Sequence, residues 1–330
     1  MQSLIKKILL TIKSLVVKIY MKTRAIIKNL LGKISEKRRA IIIGWAFIIP
    51  ALIFITVFIF IPMIYSVFLV TQSCRGIVCE TDFFGNIDKL MGDPQFKQAF
   101  KNTFIFFIVQ VPIMLTLALV FAVILNNPKL KFRGVFRTAI FLPAVTSLVA
   151  YSVLFKMMLA PDGIVNTTIE FLGNNPIGEF LGIKPVGWLT DPFWQRATIV
   201  IALLWRWTGY NMIFYLSGLQ SIDKKVYEAA EIDGANKLQI FFKITVPQLK
   251  PIILFTAVMS TIGTLQLFDE PFNIIAGSGT TVSTMTLSQY IYNVSFVNIP
   301  NFGYAAVVAY VIMITAAILT VIQFRLSRED

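Results

Sequence analysis

The residues that most often carry out chemistry in proteins are scarce in this 330-residue chain. Histidine is absent, and the two cysteines, Cys74 and Cys79, stand five residues apart. Without histidine the commonest acid–base catalyst is missing, and one cysteine pair supplies too few ligands for a Cys/His zinc site. The phosphate-binding pattern of two glycines that bracket four residues before Lys and Ser or Thr does not occur. These observations argue against an enzyme, a metal site and an ATP site in this chain.

Polar side chains recur at helical spacing inside two long apolar stretches. Ser260, Gly263 and Thr264 stand at positions i, i+3 and i+4 of one stretch, and Trp207 and Asn211 stand at i and i+4 of the other. Polar groups deep in a membrane bundle usually face its interior, so these two faces are candidates for lining a ligand pocket. The alternative is that the small residues of the first stretch only permit close packing of helices.

The composition requires lipid around the elements that carry these faces. Hydrophobic residues make up 56% of the chain, charged residues 14%, and the mean hydropathy is +0.74. Ordinary soluble domains have about 25% charged residues, and a soluble core of this length could not hide so much apolar surface. The net charge of +13 could suggest nucleic acid, but the basic residues lie at the ends of apolar runs. A membrane protein that binds no nucleic acid is therefore expected.

Six stretches are long enough to cross roughly 30 Å of hydrocarbon as helices. They are residues 41–69, 100–125, 139–159, 197–218, 251–275 and 304–324. We therefore expect an all-α, polytopic membrane protein whose transmembrane domain, residues 41–330, has six transmembrane helices. Lys and Arg near the span ends number 22 on one side and 5 on the other. Because positive charges are retained on the inner side, both termini should be cytoplasmic.

Residues 1–40 form a basic segment with eleven Lys and Arg residues. Apolar residues such as Ile5, Ile8 and Ile12 recur at roughly helical spacing with lysines between them. This pattern predicts an amphipathic helix that lies on the anionic inner leaflet. The alternative is a disordered basic tail that only sets the topology.

Residues 221–250, between the fourth and fifth spans, are the most unusual connecting segment. Asp223 can cap a helix there, and Gly234 is expected to end that helix. A second short helix around Phe241 is expected to run up to Pro247, before the fifth span begins. Two short, partly apolar helices joined at a glycine would fit a groove on another protein.

The same segment resembles the cytoplasmic signature of permease subunits of ABC importers. That signature reads Glu-Ala-Ala, three residues, Gly, nine residues, Ile, and Leu-Pro two positions on; here Val246 replaces the leucine. In that family the segment docks into a cleft on the ATPase subunit and carries its closure to the membrane helices. The resemblance therefore implies ATPase coupling by Glu228, Ala229, Ala230, Asp233, Gly234, Ile244 and Pro247.

Shorter matches indicate the sugar-permease branch, similar to the maltose, lactose and glycerol-phosphate importers. They include Trp205-Arg-Trp-Thr-Gly209 in the fourth span and Phe268-Asp-Glu-Pro-Phe272 at the end of the fifth, and the similarity covers residues 41–326. The chain departs from the branch at residues 277–279, where Gly-Ser-Gly stands in place of Gly-Gly-Pro. The forty-residue basic extension is also not a general feature of the family.

The resemblance implies a type I ABC-importer permease fold in a bacterial plasma membrane. It implies five partners: a homologous second permease, a dimer of ATPase subunits that hold ATP and Mg, an extracytoplasmic sugar-binding protein, a sugar or oligosaccharide, and the lipid bilayer. This chain itself would bind no cofactor and would import carbohydrate by alternating access. The residues that would line the sugar path are Trp207, Thr208, Asn211, Tyr215, Ser260, Gly263, Thr264 and Gln266.

Other readings of the charged residues and cysteines stay open at this point. An ion-coupled secondary transporter would need a carboxylate in mid-membrane, and Asp269 and Glu270 stand near a span end, where we expect solvent or a partner. Arg206 needs a counter-charge or a cavity, and we expect a structural role. Cys74 and Cys79 fall in an outer loop, where they either form a disulfide or remain two free thiols.

Overall fold

The computed structural model describes residues 18, 21–22, 35–75, 78–174, 179, 182, 184–275 and 281–328. This part of the chain is almost entirely helical, which confirms an all-α membrane protein. Most of the basic segment, residues 1–40, lies outside the described residues. Its amphipathic helix therefore stays a prediction.

The first of two compact units ends at Val67. Its described elements, in chain order, are helix α1 (Glu36–Ile55), a π-helical turn (Thr56–Phe60) and the beginning of helix α2 (Ile61–Val70). None of the described side chains of these elements is buried. A helix that is apolar on all sides needs lipid or other membrane helices around it, as expected for the first span.

The second unit begins at Phe68 and holds the remaining elements. They are, in chain order, strands β1 (Gln72–Arg75) and β2 (Val78–Thr81) and helices α3 (Gly85–Gly92), α4 (Pro94–Asn126), α5 (Arg133–Val145), α6 (Leu148–Met158), α7 (Ile164–Gly173), α8 (Pro192–Ser221), α9 (Lys224–Ile232), α10 (Lys237–Ile240), α11 (Val246–Leu265), α12 (Asp269–Ile275), α13 (Leu287–Tyr292) and α14 (Phe302–Arg328). A π-helical turn (Phe241–Thr245) joins α10 to α11, a 3₁₀ turn (Thr281–Ser283) precedes α13, and another π-helical turn (Asn293–Val297) follows it.

Strands β1 and β2 form an antiparallel hairpin that the sequence did not predict. Their register places Cys74 directly opposite Cys79. Opposite residues of an antiparallel pair have Cα atoms about 4.5–5.5 Å apart, within the range that a disulfide spans. The cysteine side chains lie outside the described residues, so the disulfide stays a prediction with a compatible backbone.

The second, fourth and sixth spans are single helices, α4, α8 and α14, as expected. Two of these helices begin with the same N-cap arrangement. Asp93 Oδ1 accepts from the backbone N–H of Gln95 at 2.8 Å before α4, and Asp191 Oδ1 accepts from that of Phe193 at 2.9 Å before α8. A proline follows each aspartate, where its missing N–H costs no helical hydrogen bond.

The third predicted span, residues 139–159, is bent in the structure. Helices α5 and α6 meet at an angle of 100°. Thr146 and Ser147 adopt extended ψ angles between them, and Thr146 Oγ1 donates to the carbonyl of Pro143 at 2.9 Å. Because this hydroxyl satisfies a carbonyl at the end of α5, the chain can turn within the apolar region.

The fifth span also differs from the expected residues 251–275. Helix α11 ends at Leu265, and the chain restarts as the short helix α12 after Phe268. At its other end, α11 continues through a π-helical turn into α10. The prediction of a separate second helix that ends before Pro247 is therefore wrong. The wider turn lies directly before Pro247, whose ring and missing N–H disturb a regular α-helix.

Helix α8 is the centre of the second unit, since it packs along α4 and α5 and also contacts α11. Gly209 makes the approach to α5 possible: a Cβ at this position would lie 1.9 Å from the carbonyl oxygen of Ile140. Any larger residue would force the two helices apart. The close packing fixes the face of α8 that carries Trp207 and Asn211.

Candidate functional site

The segment between α8 and α11 has the helix and the glycine break that the sequence predicts. Asp223 Oδ1 accepts from the N–H of Lys225 at 3.0 Å and caps α9. Gly234 has φ +79°, a left-handed conformation that favours glycine, and Ala235 N–H bonds to the carbonyl of Ala230 at 2.9 Å. The chain then starts α10 with a reciprocal capping box. We call residues 223–242 the elbow.

The elbow presents apolar side chains to its surroundings. Ile232 is 85% exposed, Leu238 70% and Phe242 65%. Ala230 of the same segment is buried, and Tyr227 Oη is 3.4 Å from Thr245 Oγ1. Of the other signature residues, Ile244 is half-buried and the exposed ones are Glu228, Ala229, Asp233, Gly234 and Pro247. An exposed apolar surface next to a glycine turn is suited to docking on another protein.

A chain of buried polar contacts links α11, α4 and α8. Thr264 Oγ1 donates to Gln110 Oε1 at 2.9 Å, and Gln110 Nε2 donates to Met114 Sδ at 3.0 Å. Asn211 Nδ2 lies 3.6 Å from the same sulfur and donates to the carbonyl of Trp207 at 3.0 Å. The structure therefore connects Thr264 with Asn211, two of the predicted path residues, through two residues of α4 that the sequence did not single out.

Two other predicted path residues of α8 face the interior of this chain. Tyr215 is 1% exposed, and its hydroxyl is 2.7 Å from Thr256 Oγ1 on α11. Thr208 is also buried, and its hydroxyl has no hydrogen-bond partner within the described residues. In this conformation both side chains pack helices together rather than lining open space.

The open side of α8 and α11 carries a row of aromatic rings. Trp207 and Tyr210 lie 5.7 Å apart between ring centroids, Tyr210 and Phe214 5.1 Å, and Phe214 and Phe255 of α11 5.6 Å. Trp207 is half-buried and Tyr210 is exposed. Aromatic faces are suited to contact the apolar faces of sugar rings. Tyr210, Phe214 and Phe255 are functional candidates that the sequence did not indicate.

The α11 residues of the predicted path lie at different depths. Ser260 is half-buried, Gly263 and Gln266 are exposed, and Thr264 is buried. A Cβ on Gly263 would have no atom within 4 Å among the described residues. Close helix packing inside this chain therefore does not require glycine at position 263, and that glycine lies at an open surface.

Three residues from different helices form a buried charged cluster. Tyr151 Oη of α6 donates to Glu270 Oε1 of α12 at 2.7 Å, and the Arg206 guanidinium of α8 lies 4.6 Å from the centroid of the Tyr151 ring. Arg206 also lies 5.4 Å from the Trp207 ring. Glu270 is 4% exposed, so the expectation that solvent reaches it is wrong for this conformation, whereas Asp269 is exposed. Arg206 lies against two aromatic faces, and its Nε and Nη1 groups have no hydrogen-bond partner within the described residues.

A second polar cluster lies where α4 begins. Tyr290 and Tyr304 both donate to Asp93 Oδ2, the latter at 2.7 Å. Burial acts to raise the pKa of Asp93, but these two hydrogen bonds and those from the backbone of Phe96 and Gln95 outweigh it, so its pKa lies below its ordinary value. Burial and the neighbouring carboxylate raise the pKa of Tyr290. The cluster ties α13 and α14 to the start of α4.

The model of the family named binding-protein-dependent transport system inner membrane component matches residues 91–328 of this chain. A lactose transport system permease protein of Rhizobium radiobacter is 53% identical over 296 residues, which are 89% of this chain and 97% of that protein. An arabinooligosaccharides transport system permease protein of Halalkalibacterium halodurans is 32% identical over 87% of this chain and 88% of its own length.

Comparison of structures gives the same architecture. A bacterial ABC transporter involved in the import of the acidic polysaccharide alginate matches with a TM-score of 0.75 and 24% identity, over 88% of this chain and 96% of that chain. The alginate transporter in complex with its pentasaccharide-bound periplasmic protein matches with the same score. At this level of identity the likeness establishes the fold.

Proposed function

The chain belongs to the family of binding-protein-dependent transport system inner membrane components and is a permease subunit of a carbohydrate importer, and we propose that its cargo is an oligosaccharide of the size of lactose. The observation that carries the choice of cargo is the 53% identity to a lactose permease protein over nearly the full length of both chains. Relatives named for arabinooligosaccharides and for sulfoquinovosyl glycerol also indicate glycosides rather than ions.

The transport cycle is one of alternating access in a bacterial plasma membrane. A soluble binding protein delivers the sugar to the outer face, and a second permease completes the path. This sequence has no phosphate-binding glycine loop. In the proposed complex, ATP and Mg are therefore bound by two ATPase subunits. Coupling means that ATP and sugar favour different conformations of the transporter. Each ligand shifts the equilibrium towards the conformation that it binds more tightly.

The elbow is the contact with an ATPase subunit. Its exposed Ile232, Leu238 and Phe242 form an apolar surface that fits a groove, and the left-handed Gly234 forms the turn between α9 and α10. The continuous helix from Lys237 to Leu265 joins this surface to the middle of the membrane. A movement of the elbow would therefore reach Ser260 and Thr264 through one helix.

The sugar path runs along the open side of α8 and α11. The aromatic row that begins at Trp207 supplies stacking surfaces, the half-buried Ser260 supplies a hydroxyl group, and the buried Thr264 lies one turn further along α11. An ion-coupled secondary transporter is the alternative function. The buried Glu270 is the carboxylate such a mechanism could use, but it already accepts from Tyr151 and lies close to Arg206.

Reconstitution tests the function directly. The chain is assembled in liposomes with its second permease, the ATPase subunits and the binding protein, and uptake of labelled lactose, arabinooligosaccharides and a monosaccharide is compared with and without ATP. ATP-dependent uptake of lactose is the expected result. Uptake driven by an ion gradient without ATP would contradict the assignment to an ATP-driven importer.

A further inference from the structure

Gln110 is an amide in the middle of an apolar helix, and the transport proposal gives it no role. It is 2% exposed and lies in α4, which carries neither of the predicted path faces. Burying an amide among apolar residues is unfavourable unless its groups are hydrogen-bonded. Both ends of this amide are bonded: Oε1 to the Thr264 hydroxyl and Nε2 to the Met114 sulfur.

The bond to Gln110 fixes what Thr264 can offer a ligand. A hydroxyl group has one hydrogen to donate and two lone pairs that accept. The hydrogen of Thr264 points at Gln110 Oε1, 2.9 Å away, so only the lone pairs remain. Thr264 is buried, but it stands next to the exposed Gly263 and one turn from the half-buried Ser260, so it borders the proposed path.

Asn211 is also buried, at 4% exposure, and its hydrogens are restricted in the same way. Its Nδ2 group donates to the carbonyl of Trp207 at 3.0 Å and lies 3.6 Å from Met114 Sδ. Within the described part of the chain no donor reaches its Oδ1. Both polar side chains beside Trp207 and Gly263 thus have their hydrogens engaged inside the subunit and an oxygen left to accept.

We propose that Gln110 is a positioning residue that makes the sugar path an acceptor surface. By holding the hydroxyl hydrogen of Thr264, it leaves Thr264, together with Asn211, able only to accept, so the path selects sugar hydroxyls that donate. The inference rests on the proposed function, since it concerns the same path. If Gln110 only joined α4 to α11, it would affect the stability of the complex and not its choice among sugars.

Fluorinated sugars distinguish the two roles. A fluorine atom is similar in size to a hydroxyl group but cannot donate a hydrogen bond. We would measure KM and kcat for ATP-driven uptake of lactose and of derivatives with one hydroxyl replaced by fluorine, in the assembled transporter. The variants are Gln110→Leu, Gln110→Glu, which keeps an acceptor oxygen, and Thr264→Val. Gln98→Leu is the control, because Gln98 lies on the same helix and, among the described residues, its side chain bonds to Asn102 and not to the proposed path.

For at least one sugar position, fluorination should raise KM roughly 2- to 10-fold in the wild type, the effect of one neutral hydrogen bond. The ratio of KM for the fluorinated sugar to KM for lactose should keep its wild-type value in Gln110→Glu and Gln98→Leu. In Gln110→Leu and Thr264→Val this ratio should fall towards 1. The inference is overturned if Gln110→Leu or Thr264→Val keeps the wild-type ratio for every derivative. Thr264→Val gives this answer even where Gln110→Leu does not assemble. Absence of lactose uptake by the wild type would instead contradict the proposed cargo.

Discussion

The hydroxyl of Tyr151 donates to the carboxylate of Glu270 over 2.7 Å, and this bond joins the bent third span to the short helix after the fifth. Glu270 is almost completely buried, so Tyr151→Phe would leave a carboxylate oxygen without its partner. We expect a loss of about 1–3 kcal/mol in stability, seen as a lower midpoint of thermal unfolding of the assembled complex.

A double-mutant cycle separates this bond from other effects. Glu270→Gln should cost less than Tyr151→Phe, and the pair of substitutions should cost less than their sum, because both remove the same contact. Tyr65→Phe is the control, since Tyr65 is 60% exposed and its substitution should change stability by less than about 0.5 kcal/mol. Additive effects of the two substitutions would show that the contact contributes nothing.

The elbow should fail as a coupling element when its apolar surface is made charged. Leu238→Asp places a carboxylate in the surface that we expect to be buried against the ATPase subunit. Sugar-stimulated ATP hydrolysis should fall at least 10-fold, while the permease still folds, because Leu238 is 70% exposed in the isolated chain. Leu326→Asp is the matched control, with a side chain that is 66% exposed near the other end of the chain. Wild-type coupling in Leu238→Asp would rule out docking through this surface.

The parts of the fold that the sequence could predict are those set by local patterns. The Asp223 cap and the break at Gly234 depend on neighbouring residues only, and the structure confirms both. The 100° bend at Thr146 was not predicted, because apolar residues continue on both sides of it. Gln110 was missed for a different reason: its partner Thr264 is 154 residues away, and no spacing rule links them.

The orientation of the chain in the membrane remains a prediction from the 22-to-5 asymmetry of Lys and Arg. With Cys74 and Cys79 replaced by serine, a cysteine at Asn174 should react with an impermeant thiol reagent added outside intact cells. A cysteine at Lys237 should react only after the cells are opened. Both positions are exposed, so the comparison is matched for access within the chain. The reverse pattern of labelling would contradict cytoplasmic termini.

The β1–β2 hairpin makes a disulfide between Cys74 and Cys79 geometrically suitable, since the two residues are directly opposite. If the hairpin faces the outside of the cell, the bond should form and persist. Titration of unreduced, denatured protein should then find no free thiol, and two thiols should appear after reduction. Two reactive thiols before reduction would exclude the bond in the mature protein.

The last prediction compares two tryptophans of α8 that differ in their surroundings. Trp207 begins the aromatic row on the open side, whereas Trp205 packs against Phe155 and Tyr151, at centroid distances of 5.5 and 6.1 Å. If the row carries the sugar, Trp207→Ala removes a stacking surface and should raise KM for sugar uptake. Asn211→Ala and Ser260→Ala each remove one hydrogen bond, worth about 0.5–1.5 kcal/mol, and should raise KM less.

Trp205 is itself 42% exposed, but its ring packs against Phe155 and Tyr151, so Trp205→Ala should instead lower the thermal stability of the complex and leave KM near the wild-type value. Basal ATP hydrolysis should persist in all four variants, since the elbow is unchanged. Measurements of KM, kcat and thermal midpoint for the four variants side by side distinguish a sugar path from helix packing. Equal loss of stability in Trp207→Ala and Trp205→Ala, with unchanged KM in both, would place the sugar away from this row.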